Sequence, residues 1–271
     1  MAFFISLQCP SLYRSCVADP NQPDTYEEIF NARGHLYNEA TTSSPAAREA
    51  ERAALITRMD LAPGQNICDL PAGGGYLADG IYRVFGEEIK IICVEPAERF
   101  GAAIHPAFQI IHQPLDSLPL PDASFDRIGS LAGLHHVADR TACYREWHRV
   151  LKPGGKIVIA DVQEGTGPAG FLNEFVHEHS PGGHVGKFFK PGDFTTDLEK
   201  AGFTEVSEEL VDVSWRFEST EEMIHFCKIL FAVELADHGQ VQAAIHRHLG
   251  FREDHGATLM NWSLRYAVAS F

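Results

Sequence analysis

The chain has 271 residues, 45% of them hydrophobic, and its 22 basic and 37 acidic side chains give a net charge of −15. This length allows one large α/β domain or one domain with a cap. The charge argues against a nucleic-acid substrate, because a phosphate backbone requires a basic face, and no apolar run of about 18 residues predicts a membrane span.

Residues 1–24 are predicted to be irregular, because prolines interrupt them at three positions. Their apolar start has no basic residues before it and is a poor secretory signal. Six cysteines without a Cys-x-x-Cys pair indicate reduced thiols, so we expect a cytoplasmic protein. Two helices are then predicted over Tyr26–Tyr37 and Pro45–Met59, the second from alanine and isoleucine at helical spacing.

Apolar strands alternate with helices through the centre of the chain. The predicted strands cover about 66–70, 90–95, 108–111, 126–131 and 156–161. Such alternation is typical of an α/β fold with a doubly wound parallel sheet, in which ligands bind at the carboxyl ends of the strands.

A glycine-rich turn follows the first of these strands. Asp69-Leu70-Pro71-Ala72-Gly73-Gly74-Gly75 has small residues that let a ligand lie against the backbone at a helix N-terminus. Gly-x-Gly-x-x-Ala from Gly73, with Glu95 20 residues after Gly75, also satisfies the dinucleotide fingerprint. However, Asp69 would repel a pyrophosphate and would attract a ligand that carries an ammonium and a sulfonium.

Four motifs follow the turn in order. They are Leu118-Pro119-Leu120-Pro121-Asp122-Ala123-Ser124-Phe125-Asp126, Leu134-His135-His136-Val137, Leu151-Lys152-Pro153-Gly154-Gly155-Lys156 and Leu198-Glu199-Lys200-Ala201-Gly202-Phe203. Together with the turn, they make residues 55–215 resemble the class I S-adenosylmethionine (SAM)-dependent methyltransferases, specifically the quinone-methyltransferase-like, or type 11, group.

This resemblance implies a Rossmann-like methyltransferase fold with a seven-stranded, mostly parallel sheet. It divides the chain into a helical N-terminal cap at 1–60, a SAM-binding core at 61–215, and a helical lid with a final strand at 216–271. An acceptor-facing insertion is expected at about 167–190 within the core.

The resemblance also implies SAM as the cofactor and assigns residues to it. Asp69 would attract the ammonium group, Gly73 and Gly75 would permit backbone approach, and Glu95 would accept from both ribose hydroxyls. The remaining candidates are residues that keep the turn small or line the methionine portion: Pro71, Ala72, Leu131 and Ala132.

Two parts of the cofactor lack a clear partner in the sequence. Pro114 stands where the family commonly has an adenine-binding aspartate, and proline offers neither a carboxylate nor an amide donor. Adenine recognition would therefore fall to Asp116 or to the backbone of Leu115. Tyr37 or Arg48 in the cap is a candidate contact of the methionine carboxylate.

Histidines supply the candidate catalytic groups. His135 and His136 follow the fourth strand, where either packing at a turn or general-base catalysis explains them. His179, in the insertion, is a third candidate base. Methyl transfer requires little else of the protein, because alignment of nucleophile, methyl carbon and sulfur supplies most of the acceleration.

The histidines also admit a metal-binding interpretation. His177, His179 and His184, with Glu174 or Glu178, have the ligand types for a metal. On a helix, however, residues two apart point to different faces. We therefore expect no metal and keep this grouping as the alternative.

The sequence thus predicts a SAM-dependent methyltransferase that transfers a methyl group to oxygen or nitrogen of a small molecule. Neither nucleic acid nor membrane is an expected partner, and a homodimer is possible. The alternatives are the same fold with cyclase-type or decarboxylase-type chemistry, a non-catalytic partner subunit, or a nicotinamide oxidoreductase, for which a catalytic Tyr-x-x-x-Lys motif is missing.

Overall fold

The computed structural model describes residues 25–184 and 186–271. The predicted irregular stretch 1–24, with Cys9 and Cys16, lies outside the described residues. Helices and strands are numbered here in chain order. Helix α1 (Tyr26–Ser43) begins at Thr25 with a capping box that includes Glu28. Helix α2 (Glu49–Met59) begins four residues later than predicted, because residues 45–48 form turns.

Seven strands form the main sheet, in the order β3-β2-β1-β4-β5-β10-β6. Their bounds are Asn66–Asp69 (β1), Lys90–Val94 (β2), Gln109–Ile111 (β3), Phe125–Leu131 (β4), Leu151–Asp161 (β5), Thr204–Asp212 (β6) and Ser263–Ser270 (β10). The first five are parallel, and β10 is antiparallel to both β5 and β6. The predicted doubly wound, mostly parallel sheet is confirmed.

Helices cover both faces of this sheet. They are α3 (Tyr76–Phe85), α4 (Glu98–Gly101), α5 (Arg140–Val150) and α8 (Asp193–Ala201), together with α2. Alternation along β5 shows how the core is divided. Ile157 and Ile159 pack in one apolar cluster, Val158 and Ala160 pack in the other, and all four are fully buried. Buried parallel strands require apolar residues on both faces, which explains the unbroken run in the sequence.

Strand β5 starts at Leu151, five residues before the predicted start. Phe125 pairs with Leu151 and Arg127 pairs with Lys156, so the register shifts across the intervening turn-like segment. The irregularity accommodates the proline and glycines between these two pairs, which alone would not indicate a strand.

Two additions accompany the core. The first follows β5 and consists of α6 (Gly167–Gly170), a π-helical segment (Phe171–Val176) and α7 (His177–His179). The second lies between β6 and β10 and contains α9 (Thr220–Leu230) and α10 (His238–His248), both within the range 216–271 for which the resemblance implied a helical lid and a final strand. It also contains a three-stranded antiparallel sheet that the sequence did not predict: β7 (Trp215–Phe217), β8 (Phe251–Asp254) and β9 (Ala257–Met260). No helix in the described part of the chain could cross a membrane.

Candidate functional site

A cavity of about 300 Å³ opens at the carboxyl ends of β1 and β4, beneath α1 and α2. Six predicted cofactor-binding residues line it: Asp69, Pro71, Ala72, Gly73, Leu131 and Ala132. Gly73 and Gly75 have φ values of 55° and 87°, in the left-handed region that favours glycine. Gly75 is the N-cap of α3, so the turn presents its backbone at a helix N-terminus as the sequence predicted.

Asp69 is buried at the base of this cavity. Its Oδ2 accepts a hydrogen bond from the backbone nitrogen of Ala78, 3.0 Å away in the first turn of α3. Burial raises the pKa of Asp69 well above its usual value, and nearby Glu95 and Asp79 raise it further. A bound cation would offset this loss of solvation, so the site suits a positively charged group.

Glu95 does not line the cavity, because hydrogen bonds from protein groups surround its carboxylate. Its Oε2 accepts from the Tyr26 hydroxyl at 2.9 Å and from the Gly73 amide at 2.8 Å. Its Oε1 accepts from the Ala97 amide at 2.9 Å. Burial outweighs these bonds and raises the pKa of Glu95 to about 7.

Aromatic side chains pack beside Tyr26, which donates to this carboxylate. The ring centroid of Phe30 lies 4.6 Å from that of Tyr26 and 4.9 Å from that of Phe100. Phe100 also covers the turn, since a Cβ built on Gly73 would lie 2.8 Å from Phe100 Cζ. In this conformation the methionine end of the predicted cofactor site is open, and the ribose end is closed by the cap.

The two residues predicted for adenine lie outside the cavity. The carbonyl of Leu115 accepts a hydrogen bond from Nε1 of Trp147 at 2.8 Å, and the side chain of Leu115 is buried in the core. Asp116 is exposed to solvent. Neither residue contacts the space that the turn encloses, so their assignment stays a prediction.

Two buried arginines form the wall contributed by α2. Arg48 pairs with Glu51 and donates to the Tyr37 hydroxyl. The contact of Tyr37 or Arg48 with the methionine carboxylate stays a prediction. Arg52 was not predicted. Its guanidinium carbon lies 4.2 Å from the centre of the Tyr76 ring, and its Nε has no partner among the described residues. The cavity therefore has a carboxylate at its base and guanidinium groups on its wall.

A second, smaller cavity of about 50 Å³ adjoins the first. Four residues line both: Phe30, Tyr37, Arg48 and Ala132. Three imidazoles face the second cavity, those of His135, His136 and His184. The rest of its wall is mainly apolar. The two additions supply Leu172, Val176, Trp215, Leu230, Phe231 and Trp262, while Val162 directly follows β5 and Leu264 lies in β10.

The imidazole of His135 is held by Asp161 at the end of β5. Nδ1 of His135 lies 2.6 Å from Oδ1 of Asp161, and the His135 amide donates to Oδ2 at 3.1 Å. The carboxylate accepts a hydrogen bond from Nδ1–H of His135. This bond favours the tautomer in which Nε2 carries the lone pair. Asp161 was missed in the sequence, although an acid that ends a buried strand is a recognisable signal.

The structure groups the other histidines differently from the metal-binding alternative considered for the sequence. His184 joins His135 and His136, with ring centroids 5.7 Å and 5.1 Å from theirs. His177 has its Nδ1 2.9 Å from the carbonyl oxygen of His184. His179 lines neither cavity, and its Nδ1 lies 2.9 Å from the carbonyl oxygen of Phe175. The alternative metal grouping of His177, His179 and His184 is therefore not the histidine cluster that the described residues form.

Comparisons with known proteins agree with this architecture. A family model described as "Methyltransferase domain" matches residues 68–159. The ubiquinone/menaquinone biosynthesis C-methyltransferase of Coxiella burnetii is 32% identical over 120 residues, which are 41% of this chain and 48% of that protein. The 27-O-demethylrifamycin SV methyltransferase of Amycolatopsis mediterranei is 30% identical over 146 residues, 51% of each chain.

A solved structure resembles the chain over a longer range. Haemonchus contortus phosphoethanolamine N-methyltransferase 2, in complex with phosphomonomethylethanolamine and S-adenosylhomocysteine, superposes with a TM-score of 0.63 at 16% identity. The match covers 91% of this chain and 60% of that one. The chain spans about half the length of the two relatives named above. Residues 68–159 are therefore similar to methyltransferase domains, and the strand order of the main sheet agrees with that similarity.

Proposed function

We propose that the protein is a SAM-dependent methyltransferase that acts on a small-molecule acceptor. The single observation that supports this most strongly is the shared wall of the two cavities. One cavity is lined by the glycine turn and Asp69, the other by three imidazoles, and Ala132 lines both. A methyl donor in the first cavity and an acceptor in the second would meet at this wall.

The charges of the first cavity fit the amino-acid end of SAM. Asp69 would receive the ammonium group at its base, and Arg48 or Arg52 would receive the carboxylate on its wall. When bound, the cofactor supplies a methyl group already activated by the sulfonium. The chain's own contribution is to orient that end and to exclude water from the shared wall.

Glu95 remains the proposed acceptor of the ribose hydroxyls. In the described conformation, Tyr26 and Gly73 already donate to its Oε2. Binding of the adenosine half therefore requires the first turn of α1 to move away from Glu95. This proposal makes the cap a participant in cofactor entry.

The second cavity suits an acceptor with an apolar body and one protic group. Its walls are mainly aliphatic and aromatic, and the three imidazoles line it together with Ala132. We infer that His135 is the base, because Asp161 holds its Nδ1 proton and leaves Nε2 free toward the cavity. His136 is a second candidate. An acceptor oxygen or nitrogen would lose its proton to the imidazole as the bond to the methyl carbon forms and the bond from that carbon to sulfur breaks.

The relatives support an apolar acceptor, since their names describe a quinone-pathway C-methyltransferase and a rifamycin methyltransferase. Methylation at oxygen or nitrogen is proposed here because a base faces the acceptor space. Neither nucleic acid nor a membrane enters this proposal as a partner, and a homodimer remains an open possibility. Cyclase-type chemistry and a non-catalytic role are the alternatives that activity measurements must separate.

Calorimetric titration with S-adenosylhomocysteine tests the cofactor assignment. We expect micromolar binding to the wild type and a loss of about tenfold or more, equivalent to about 1.4 kcal/mol, in Glu95→Ala. Glu199→Ala removes an exposed acid from α8 and serves as the matched control. Absence of binding to the wild type would refute the proposal. Binding without transfer of labelled methyl groups across a panel of phenols, amines and quinols would favour cyclase-type chemistry.

A further inference from the structure

We propose that His135, His136 and His184 form a binding site for a divalent transition-metal ion of the zinc class. One ligand atom from each of these residues lies within 4.8 Å of the others, the one such group within residues 25–184 and 186–271. The centroid of the His135 ring lies 4.2 Å from that of His136. Three imidazoles from two separate segments thus point into one small cavity.

Hydrogen bonds orient two of these rings as metal ligands are oriented. Nδ1 of His135 faces Oδ1 of Asp161 at 2.6 Å, and Nδ1 of His184 faces Oδ1 of Asn173 at 3.0 Å. Both partners are oxygen acceptors, so both Nδ1 atoms carry the proton and both Nε2 atoms carry a lone pair. Metal-binding histidines nearly always have such a partner on the nitrogen that does not bind the metal.

The third ring has a nitrogen that nothing else explains. Nδ1 of His136 is buried and has no hydrogen-bond partner among the described residues. A buried imidazole nitrogen without a partner is costly, and a metal ion would satisfy it.

The distances require only a modest closure of the cluster. Tetrahedral zinc with bonds of 2.0–2.1 Å places its nitrogen ligands about 3.3 Å apart. Small side-chain rotations would bring the three rings to this separation. Three protein ligands leave a fourth position, which faces the apolar cavity and could receive an oxygen, nitrogen or sulfur atom of a small molecule.

The surrounding charges set limits on the affinity. Asp161 supplies one negative charge through His135, whereas Arg33 lines the same cavity and donates to the carbonyl of Gly183 at 3.2 Å. The guanidinium opposes a bound cation, so we expect a Kd of about 1 μM rather than the much tighter binding of structural zinc sites. A metal would occupy Nε2 of His135, which then acts as a ligand instead of as the base.

Metal binding is measured without cofactor or acceptor, so its outcome is independent of the proposed methyl transfer. The untagged full chain is freed of metal with a chelator and titrated with Zn²⁺ and with Co²⁺. We expect one equivalent of each to bind, and the absorption spectrum of the cobalt form to be that of a tetrahedral site with nitrogen ligands. Absence of a thiolate-to-cobalt charge-transfer band distinguishes this site from cysteine ligation.

Variants assign the ligands. We expect His136→Ala and His184→Ala to lose about 100-fold or more in zinc affinity, and Asn173→Ala to lose about tenfold. His246→Ala, on the exposed side of α10, is the matched control and should bind as the wild type does. Circular dichroism and thermal unfolding verify that each variant is folded. If His184→Ala does not fold, His184→Gln is measured in its place.

Three results would overturn the proposal. The first is no zinc binding to the wild type at 100-fold above the expected Kd. The second is unchanged affinity in folded His136 and His184 variants. The third is an equal loss in His179→Ala, which would return the ligands to the grouping of neighbouring histidines in the insertion.

Discussion

The hydroxyl of Tyr26 lies 2.9 Å from Oε2 of Glu95, although 69 residues separate the two along the chain. Tyr26 is the first residue of α1, and Glu95 directly follows β2. Burial raises the pKa of Tyr26 well above its usual value, and the neighbouring Glu95 raises it further, so the hydroxyl stays protonated and donates. The cap and the core are thus connected at the residue proposed to hold the ribose.

Tyr26→Phe should increase the affinity for S-adenosylhomocysteine by about threefold to tenfold, up to about 1.4 kcal/mol. The reason is that the hydroxyl competes with the ribose for Oε2 of Glu95. The free energy of unfolding of this variant should be lower by about 1–3 kcal/mol, because a hydrogen bond to a charged group is lost. Calorimetry and urea denaturation measure the two effects. Weaker cofactor binding in this variant would mean that Tyr26 contacts the cofactor directly.

The pH dependence of stability should carry a contribution from Glu95. The pKa of Glu95 is about 7 in the folded protein, against an ordinary 4.5. The folded state therefore binds the Glu95 proton more tightly than the unfolded state does. The resulting contribution to the free energy of unfolding is present below pH 4.5 and is lost as the pH rises to 7. We expect the unfolding free energy of the wild type, relative to Glu95→Gln, to fall by about 3 kcal/mol between pH 4.5 and pH 8. Chemical denaturation at the two pH values measures this difference. An equal difference in unfolding free energy between the wild type and Glu95→Gln at both pH values would contradict the prediction.

Arg48→Met should destabilise the protein by about 3–5 kcal/mol, because it leaves the buried carboxylate of Glu51 without its cation. That carboxylate also accepts from Nε1 of Trp215 at 2.9 Å. The double variant Arg48→Met/Glu51→Gln should recover much of the loss, since no uncompensated charge remains. A double-mutant cycle by chemical denaturation measures the recovery, and simple additivity of the two single changes would argue against a coupled pair.

Asp161→Asn should reduce methyl transfer by about 100-fold if His135 is the base. Both oxygens of Asp161 accept from His135, one from its backbone amide and one from Nδ1, and the NH2 group of asparagine cannot replace either acceptor, so Asp161 acts as a positioning residue. The loss should fall on kcat and leave KM for the acceptor nearly unchanged, because Asp161 orients the proposed base and lines neither cavity. Glu164→Gln, an exposed acid three residues later, is the control. A loss of folding stability that accounts for the rate loss would indicate a purely structural role for Asp161.

The parts of the fold that the sequence predicted are those governed by local patterns. Buried parallel strands need continuous apolar runs, as in β5, and a turn that approaches a ligand needs glycine, as at Gly73 and Gly75. The seven-stranded, mostly parallel sheet followed from the resemblance. Short strands such as β7–β9 were not predicted, because each is three or four residues long and pairs with segments more than 30 residues away or across a tight turn.

The parts of the site that the sequence did not predict depend on tertiary placement. The sequence grouped His184 with His177 and His179, its neighbours along the chain, whereas folding brings it against His135 and His136. Similarly, nothing local to Glu95 indicates that Tyr26 will contact it. Proximity in sequence was therefore a poor guide to which side chains would meet.

The position of β10 in the sheet has a consequence for the order in which the protein can assemble. Strand β10 lies between β5 and β6, although it follows both along the chain. During synthesis on the ribosome, β6 emerges about 50 residues before β10, the strand that joins it to the sheet. Until β10 emerges, the backbone groups of β6 lack their partners in the sheet. The glycine turn and strands β1 to β5 are complete by residue 161. The nascent chain can therefore form the parallel part of the sheet, which carries the glycine turn, well before the edge made of β10 and β6.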